Sequence, residues 1–336
     1  MLTVKILGNE KVKTIEMSDP EPEGNLVVVK IEASAVCGSE LKAFRKDEGK
    51  DDNGGHEPTG IVWRTDTAKL VKEGDRVMLY AQSHCGRCRF CRSGNWHLCY
   101  SASPKRSPGS HSQYVLLDES LCLPLPEDIS FDAGTLIGDV IGTPYHAVKR
   151  IGVSCPDQVL VVGQGPVGLG ITFICKMLGV WVVALEINEY RSRLSRKMGA
   201  DRVLNPRSDD IPGEILELTN GAGIDIAIDC SGSSEGELMA LESVKRTGKV
   251  AFVGENNRDV TIRVSDHFIR KELVAIGSWY FNAAEFEEIV SILQNHRQIE
   301  ELITHEFPIS QAQAAFDTFA SGDSGKVLIK PWAEEG

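Results

Sequence analysis

The sequence predicts an α/β chain in which a doubly wound parallel sheet is inserted into a mostly-β domain, and three observations carry that reading. A glycine turn near the middle of the chain sits between an apolar strand and a helical pattern. Strand and helix patterns alternate from about residue 141 to 278, whereas residues 1–36 show only short β-rich runs and turns. A last strand-like run at 325–330 is expected to rejoin the N-terminal part, which makes the middle an insertion.

The glycine turn is the most informative stretch. The strand at 158–162 runs into Gly163-x-Gly165-x-x-Gly168, with Pro166 and Val167 opening a helical pattern that lasts to Gly179. A second apolar strand at 181–185 ends on Glu186, 23 residues past Gly163. Strand, glycine turn, helix, strand and acid make the dinucleotide fingerprint in its proper context. Gly163 permits the tight turn, Gly165 lets a pyrophosphate approach the backbone, and Gly168 lets the helix pack on the strand. The first N–H groups of the helix supply the anion site, and Glu186 is placed to accept from an adenosine ribose, favouring NAD. Arg191 and Arg193 point the other way, because arginines accommodate the 2′-phosphate of NADP.

Length and composition bound the class. At 336 residues the chain suggests two domains, and 42% hydrophobic with 25% charged residues is ordinary for a soluble protein. A net charge of −12 argues against nucleic acid or an anionic membrane as partner. Charges at Lys5, Glu10, Lys11 and Lys13 come too early for a signal-peptide apolar core, so the cytoplasm is the expected location. The apolar region 159–185 contains Gln164, Lys176 and several glycines, and reads as a buried strand–helix–strand unit instead of a membrane span. Nine cysteines in such a chain point to metal or redox chemistry.

Taken in order, a strand at 26–31 belongs to a small antiparallel sheet or barrel. Cys37-Gly-Ser39 opens a short helix through Phe44, and Gly54-Gly-His56-Glu57 precedes a strand at 59–64. A lobe rich in Gly, Ser and Cys spans 84–112, strand character returns at 112–117, and 123–126 marks a crossing. Six strands (158–162, 181–185, 202–204, 224–229, 249–253 and 273–277) with helices such as 189–198 and 236–246 form the inserted sheet. An amphipathic helix at 284–294 follows. The domains are therefore expected at 1–140 with 279–336, and at 141–278.

Cys85-x2-Cys88-x2-Cys91-x7-Cys99 supplies four thiolates within 15 residues. Zinc favours such closed cages in structural sites, and the loop has little apolar content to order itself. A redox pair or an iron–sulfur cluster are the alternatives. His84 and His97 beside it read as supporting or surface groups. Cys37 and His56 alone do not make a metal site: each has a bland reading, as a buried small residue and a loop histidine.

Cys37-Gly-Ser39, Gly55-His56-Glu57, the Cys85/88/91/99 lobe and Gly163–Gly168 occur in the order seen in the zinc-dependent medium-chain alcohol dehydrogenase family, which the chain resembles over nearly its whole length. That resemblance implies a GroES-like catalytic domain, an inserted Rossmann domain, NAD and two zinc ions per chain, one catalytic and one structural. It makes Cys37 and His56 ligands of the catalytic zinc and Glu57 the glutamate beside it. The third ligand falls on Asp139, whose bland reading is a helix cap. Thr143 matches the threonine packed on the nicotinamide, Val167 the residue behind that ring, Arg191 a ribose contact and Lys326 a basic position near the cofactor phosphates.

The implied reaction is hydride transfer between NAD and an alcohol, with zinc as Lewis acid and Ser39 taking the alcohol proton. A histidine three residues later completes that relay in many relatives; this chain has Lys42. Aspartate at 139 resembles the secondary-alcohol branch, and the polar segment 45–53 with Tyr80-Ala81-Gln82 suggests a polyol, sugar alcohol or cyclitol. Trp279 and Tyr280 line the pocket or pack at a subunit contact. A homodimer or homotetramer is expected. The competing readings are a zinc-free NADPH quinone or enone reductase, and a non-enzymatic nucleotide sensor on the same fold.

Overall fold

The computed structural model describes residues 1–47, 54–101, 109–207 and 209–334. Most of the polar segment read as a pocket wall (48–53), and part of the cysteine lobe (102–108), lie outside the described residues. The chain divides into two compact units, Met1–Gly138 with Asn282–Gly336, and Asp139–Phe281. The joints expected from the sequence, 140/141 and 278/279, differ from these by two and three residues.

The first unit begins with the hairpin β1 (Leu2–Gly8) and β2 (Lys11–Glu16). β3 (Leu26–Ala35), β4 (Pro58–Arg64), β5 (Arg76–Leu79), β6 (Tyr114–Asp118) and β7 (Cys122–Pro124) follow. The second unit holds β8 (Gln158–Val162), β9 (Trp181–Leu185), β10 (Arg202–Leu204), β11 (Ile224–Asp229), β12 (Val244–Phe252) and β13 (Val274–Gly277). Two strands, β14 (Ile303–Pro308) and β15 (Lys326–Lys330), return to the first unit.

β3 is the spine of the first unit, because its valines and alternating small residues are buried on both faces. The sheet runs β14-β15-β3-β4-β5-β7, with β6 also paired to β3. The closing strand thus joins the first unit, as the sequence suggested, with Leu328 opposite Ala35. Val4, Ile6, Val36, Phe44, Phe316, Phe319, Val327 and Ile329 pack into a core beside it.

In the second unit the order is β10-β9-β8-β11-β12-β13, all parallel, which reverses direction between β8 and β11. That reversal is the crevice where open α/β sheets hold ligands. β8 and β9 are valine-rich and buried, and Leu160, Val162, Val183 and Leu185 pack with Ile211, Ile215 and Leu241.

One helix is shorter than expected. The stretch 236–246 was read as helical, but the helix is Ser234–Ser243, and Val244 already belongs to β12. Two contacts explain the early stop. Val244 pairs with Ile224, and the register then jumps to Ile226 opposite Lys249. The Lys271 ammonium donates to the carbonyls of Leu241, Glu242 and Val244, ending the helix at its negative pole.

Candidate metal and cofactor sites

Cys37, His56, Glu57 and Asp139 each offer a ligand atom, and these atoms all lie within 4.8 Å of one another. Three pieces of backbone bring them together. Cys37 lies two residues past β3 and opens a short 3-10 turn, Gly38–Glu40. His56 and Glu57 directly precede β4. Asp139 sits in a π-helical turn, Gly138–Gly142, directly after the last residue of the first unit's N-terminal part. Cys37 and Asp139 are each 9% exposed and Glu57 is fully buried, so the group is withdrawn from bulk water. A thiol, an imidazole and carboxylates that converge at this burial suit a metal of zinc's preference, with three ligands and one position left open. Asp139 Oδ1 accepts from the Thr143 hydroxyl at 3.2 Å.

Glu57 has a partner that the sequence did not suggest. Its Oε1 accepts from the Lys326 ammonium, which is 1% exposed and also donates to Val36 O at 3.3 Å. The burial of Lys326 rules out the alternative of a solvated strand-end lysine, and its place near the cofactor phosphates stays an expectation. The ammonium is held inside the first unit by a carboxylate, and a phosphate would have to break that pair. Ser39, by contrast, is exposed in its turn, open for proton exchange.

Glu40 was also missed. Its Oε2 accepts from the Cys37 N–H at 2.8 Å and its Oε1 accepts from the Gly55 N–H. Burial alone would raise the Glu40 carboxyl; His111, His56 and the Gly55 N–H outweigh it and bring it down to about 2. Gly55 makes the approach possible: at φ +81° a Cβ there would stand 2.5 Å from the backbone nitrogen of His111. The signal available in the sequence was Glu three residues after Cys37, the spacing of a carboxylate that turns back on the start of a helical turn.

The second metal group is Cys85, Cys88, Cys91 and Cys99, again within 4.8 Å. The sulfurs stand 3.4 Å (Cys88–Cys91), 3.8 Å (Cys85–Cys91) and 4.0 Å (Cys88–Cys99) apart. Zinc bound tetrahedrally at ~2.3 Å from each sulfur requires ~3.8 Å between sulfurs. The cage fits. The N–H groups of Arg87 and Cys88 bring the Cys85 thiol down to about 6, whereas burial pushes Cys91 up to about 12. His84 stacks on Trp96 at 4.0 Å, and His97 is buried; neither belongs to the four-sulfur group.

The nucleotide fingerprint takes the geometry that its glycines allow. Gly163 has φ +85°, and a Cβ there would meet Ser231 at 2.9 Å. At Gly168 a Cβ would stand 1.9 Å from Gly163 O, yet at Gly165 it would meet nothing within 4 Å. That open side above the start of the helix Pro166–Met177 is the cradle a pyrophosphate needs. Pro166 starts the helix at its first position and Val167 is half-buried beside it. Glu186 is 7% exposed at the end of β9. Its Oε2 accepts from Gln164 N–H at 2.8 Å, and its Oε1 from Ile187 and Asn188 N–H at 2.8 and 2.9 Å. The acid therefore shapes the glycine turn, and a ribose must share its remaining lone pairs. Arg191 lies in the first turn of the helix Glu189–Lys197, its N–H capped by Asn188.

With both sites described, the comparisons identify the class. The zinc-binding dehydrogenase family model matches residues 166–295, and the alcohol dehydrogenase GroES-like domain matches 23–127. The zinc-type alcohol dehydrogenase-like protein YphC of Escherichia coli K12 is 33% identical, with 98% of each chain covered. L-threonine 3-dehydrogenase of Shewanella putrefaciens is 30% identical over 97% of this chain and 98% of that one. Among solved structures, the alcohol dehydrogenase TADH from Thermus sp. ATN1 superimposes with a TM-score of 0.91 at 23% identity, covering 98% and 99%. L-idonate 5-dehydrogenase from Escherichia coli gives 0.81 at 23% identity, covering 98% and 97%. The chain belongs to the zinc-dependent medium-chain alcohol dehydrogenase family, with a GroES-like domain and a Rossmann-like sheet. Among the described residues no helix is long and apolar enough to cross a membrane.

Proposed function

We propose that the protein is an NAD-dependent alcohol dehydrogenase with two zinc ions per chain, acting on a secondary alcohol or its ketone. The observation that carries this reading is the convergence of Cys37, His56, Glu57 and Asp139 within 4.8 Å. Cys37, His56 and Asp139 would hold the catalytic ion and the four-sulfur cage the structural one. Zinc held there would supply a Lewis acid for the alcohol oxygen, and NAD would supply the hydride acceptor.

The chain's own residues do the rest. Ser39 takes the alcohol proton and, with Lys42 where a relay histidine is common, releases it toward solvent or a ribose hydroxyl. Thr143, one helical turn from Asp139 and hydrogen-bonded to it, places the nicotinamide next to the metal ligands. Val167 backs that ring, the N-terminus of Pro166–Met177 takes the pyrophosphate, and Glu186 with Arg191 takes the adenosine ribose. Three N–H donors hold the Glu186 carboxylate against the turn, where an acidic group disfavours a 2′-phosphate.

The substrate is proposed to be a polar polyol, sugar alcohol or cyclitol, on the polarity of the segment before His56. The protein is taken to be cytoplasmic and to bind neither nucleic acid nor membrane, consistent with its net charge of −12. Its macromolecular partner is a second copy, as homodimer or homotetramer. β13 ends the strand order on one side of its sheet and leaves Val274 52% exposed, an apolar edge that a copy would cover.

The test is reduction of NAD and of NADP by the purified protein across polyols, cyclitols, secondary and primary alcohols, with zinc measured on the same sample. Turnover lost to a chelator, preference for NAD and about two zinc ions per chain are expected. A single zinc per chain with chelator-resistant turnover would sink the reading.

A further inference from the structure

Ser34, His111 and Glu40 form a line of hydrogen bonds sealed inside the first unit. Ser34 and His111 are fully buried and Glu40 is 6% exposed. Ser34 Oγ lies 2.9 Å from His111 Nδ1. On the other side of the ring, His111 Nε2 stands 3.2 Å from Glu40 Oε1 and 3.3 Å from Oε2, so the imidazole spans both carboxylate oxygens. Those oxygens accept, one each, from the N–H groups of Cys37 and Gly55. Glu40 is therefore the bracket between the backbone that carries Cys37 and the backbone just before His56.

A glutamate bracket has a weakness that the imidazole removes. Three side-chain torsions leave the carboxylate free to rotate, and a rotated carboxylate would release one N–H or the other. His111 fixes its plane. Both ring nitrogens are engaged, Nε2 with Glu40 and Nδ1 with the Ser34 hydroxyl, so no polar atom of the ring is left over. The ring is held in place by its own backbone, whose carbonyl accepts from Val4 N–H at 2.8 Å, and by Phe316, edge-on at 5.8 Å. None of the three side chains is among the proposed ligands.

We propose that His111, steadied by Ser34, is a positioning residue for the metal centre: acting through Glu40, it fixes the spacing of the Cys37 and His56 segments and so sets how tightly the centre holds its ion. The inference rests on the zinc reading given above and deepens it. Partners that orient metal ligands commonly govern affinity by about 10–100-fold.

The test uses the full-length protein and an internal control, the four-cysteine cage. His111→Phe keeps a ring of similar size but loses both polar contacts; His111→Gln keeps a donor for Glu40. Zinc per chain is measured against graded chelator, and the cobalt-substituted centre is followed by visible absorption. For His111→Phe the expected result is one zinc retained in the cage, the other held about 10–100-fold more weakly, and shifted cobalt bands, with His111→Gln restoring most of both. Unchanged affinity and unchanged cobalt bands in His111→Phe would overturn the proposal. If His111→Phe loses its fold by circular dichroism, Ser34→Ala decides: roughly a fivefold loss, the worth of one hydrogen bond, supports the proposal and no loss overturns it. Failure of the zinc reading looks different, because the wild type itself would then hold no ion that Cys37→Ala removes.

Discussion

The four-cysteine cage and the Cys37–His56–Glu57–Asp139 centre are built on opposite plans. The cage takes all its ligands from 15 consecutive residues, draws on backbone N–H groups within the same loop and leaves no position open. The centre takes ligands from three distant segments, and its supports come from still farther along the chain. A local cage orders a loop that has little core of its own. A centre assembled from afar could leave one coordination position for a substrate, at the cost of a set of buried polar contacts that keep its side chains in place.

The largest expected effect separates the two. Cys37→Ala should lower kcat/KM on the order of 10⁴-fold while the cage zinc and the melting temperature barely change; the reciprocal Cys91→Ser should cost several kcal/mol of stability with activity per folded molecule preserved. Metal content, steady-state rates and thermal melts on both variants check this, and loss of activity in both equally would erase the distinction. Next in size is Lys326→Met, which leaves the Glu57 charge buried without its ammonium. About 3–5 kcal/mol of destabilisation is expected in urea unfolding, a penalty with no counterpart in the cage.

A buried carboxylate at the end of β11 gives a smaller, pH-dependent effect. Burial pushes Asp229 up to about 6, although Ser231 donates to its Oδ1 through both N–H and hydroxyl. The native state holds that proton more tightly than the unfolded chain, so stability falls as pH rises from about 4 to 6 and stays lower above it, by roughly 2–3 kcal/mol. Asp229→Asn should remove the slope and be the more stable protein at pH 8. Equal pH dependence in both proteins would show that Asp229 is not the source. Glu40, buried but bracketed by His111 and two N–H groups, has the opposite sign, which separates burial from bracketing. Smallest is Glu186→Gln, expected to narrow the preference for NAD over NADP by about tenfold (~1.4 kcal/mol), measured as the ratio of kcat/KM values.

The same contrast explains what could be read from the sequence. The cage and the glycine fingerprint are contiguous, so spacing alone exposes them, and strands β8 to β11 fall where their apolar runs place them. Cys37, His56 and Asp139 needed a family resemblance, because nothing in their spacing joins them. His111 reaches Glu40 across 71 residues and Ser34 across 77, and Lys326 reaches Glu57 across 269. Such pairs exist only after β3, β4 and β15 lie side by side. The early end of the helix Ser234–Ser243 has the same cause, since the lysine that stops it lies beyond β12.

The pairing of β15 with β3 also sets an order of events during synthesis. β3 emerges early, but its neighbour β15, and with it Lys326, follows the whole of Asp139–Phe281. On the ribosome the first unit waits, with a sheet edge exposed and Glu57 lacking its ammonium, until the inserted unit has been translated. The Rossmann-like unit can fold from its own continuous stretch in that interval. The buried Glu57–Lys326 pair is then completed late, after the inserted unit is already formed.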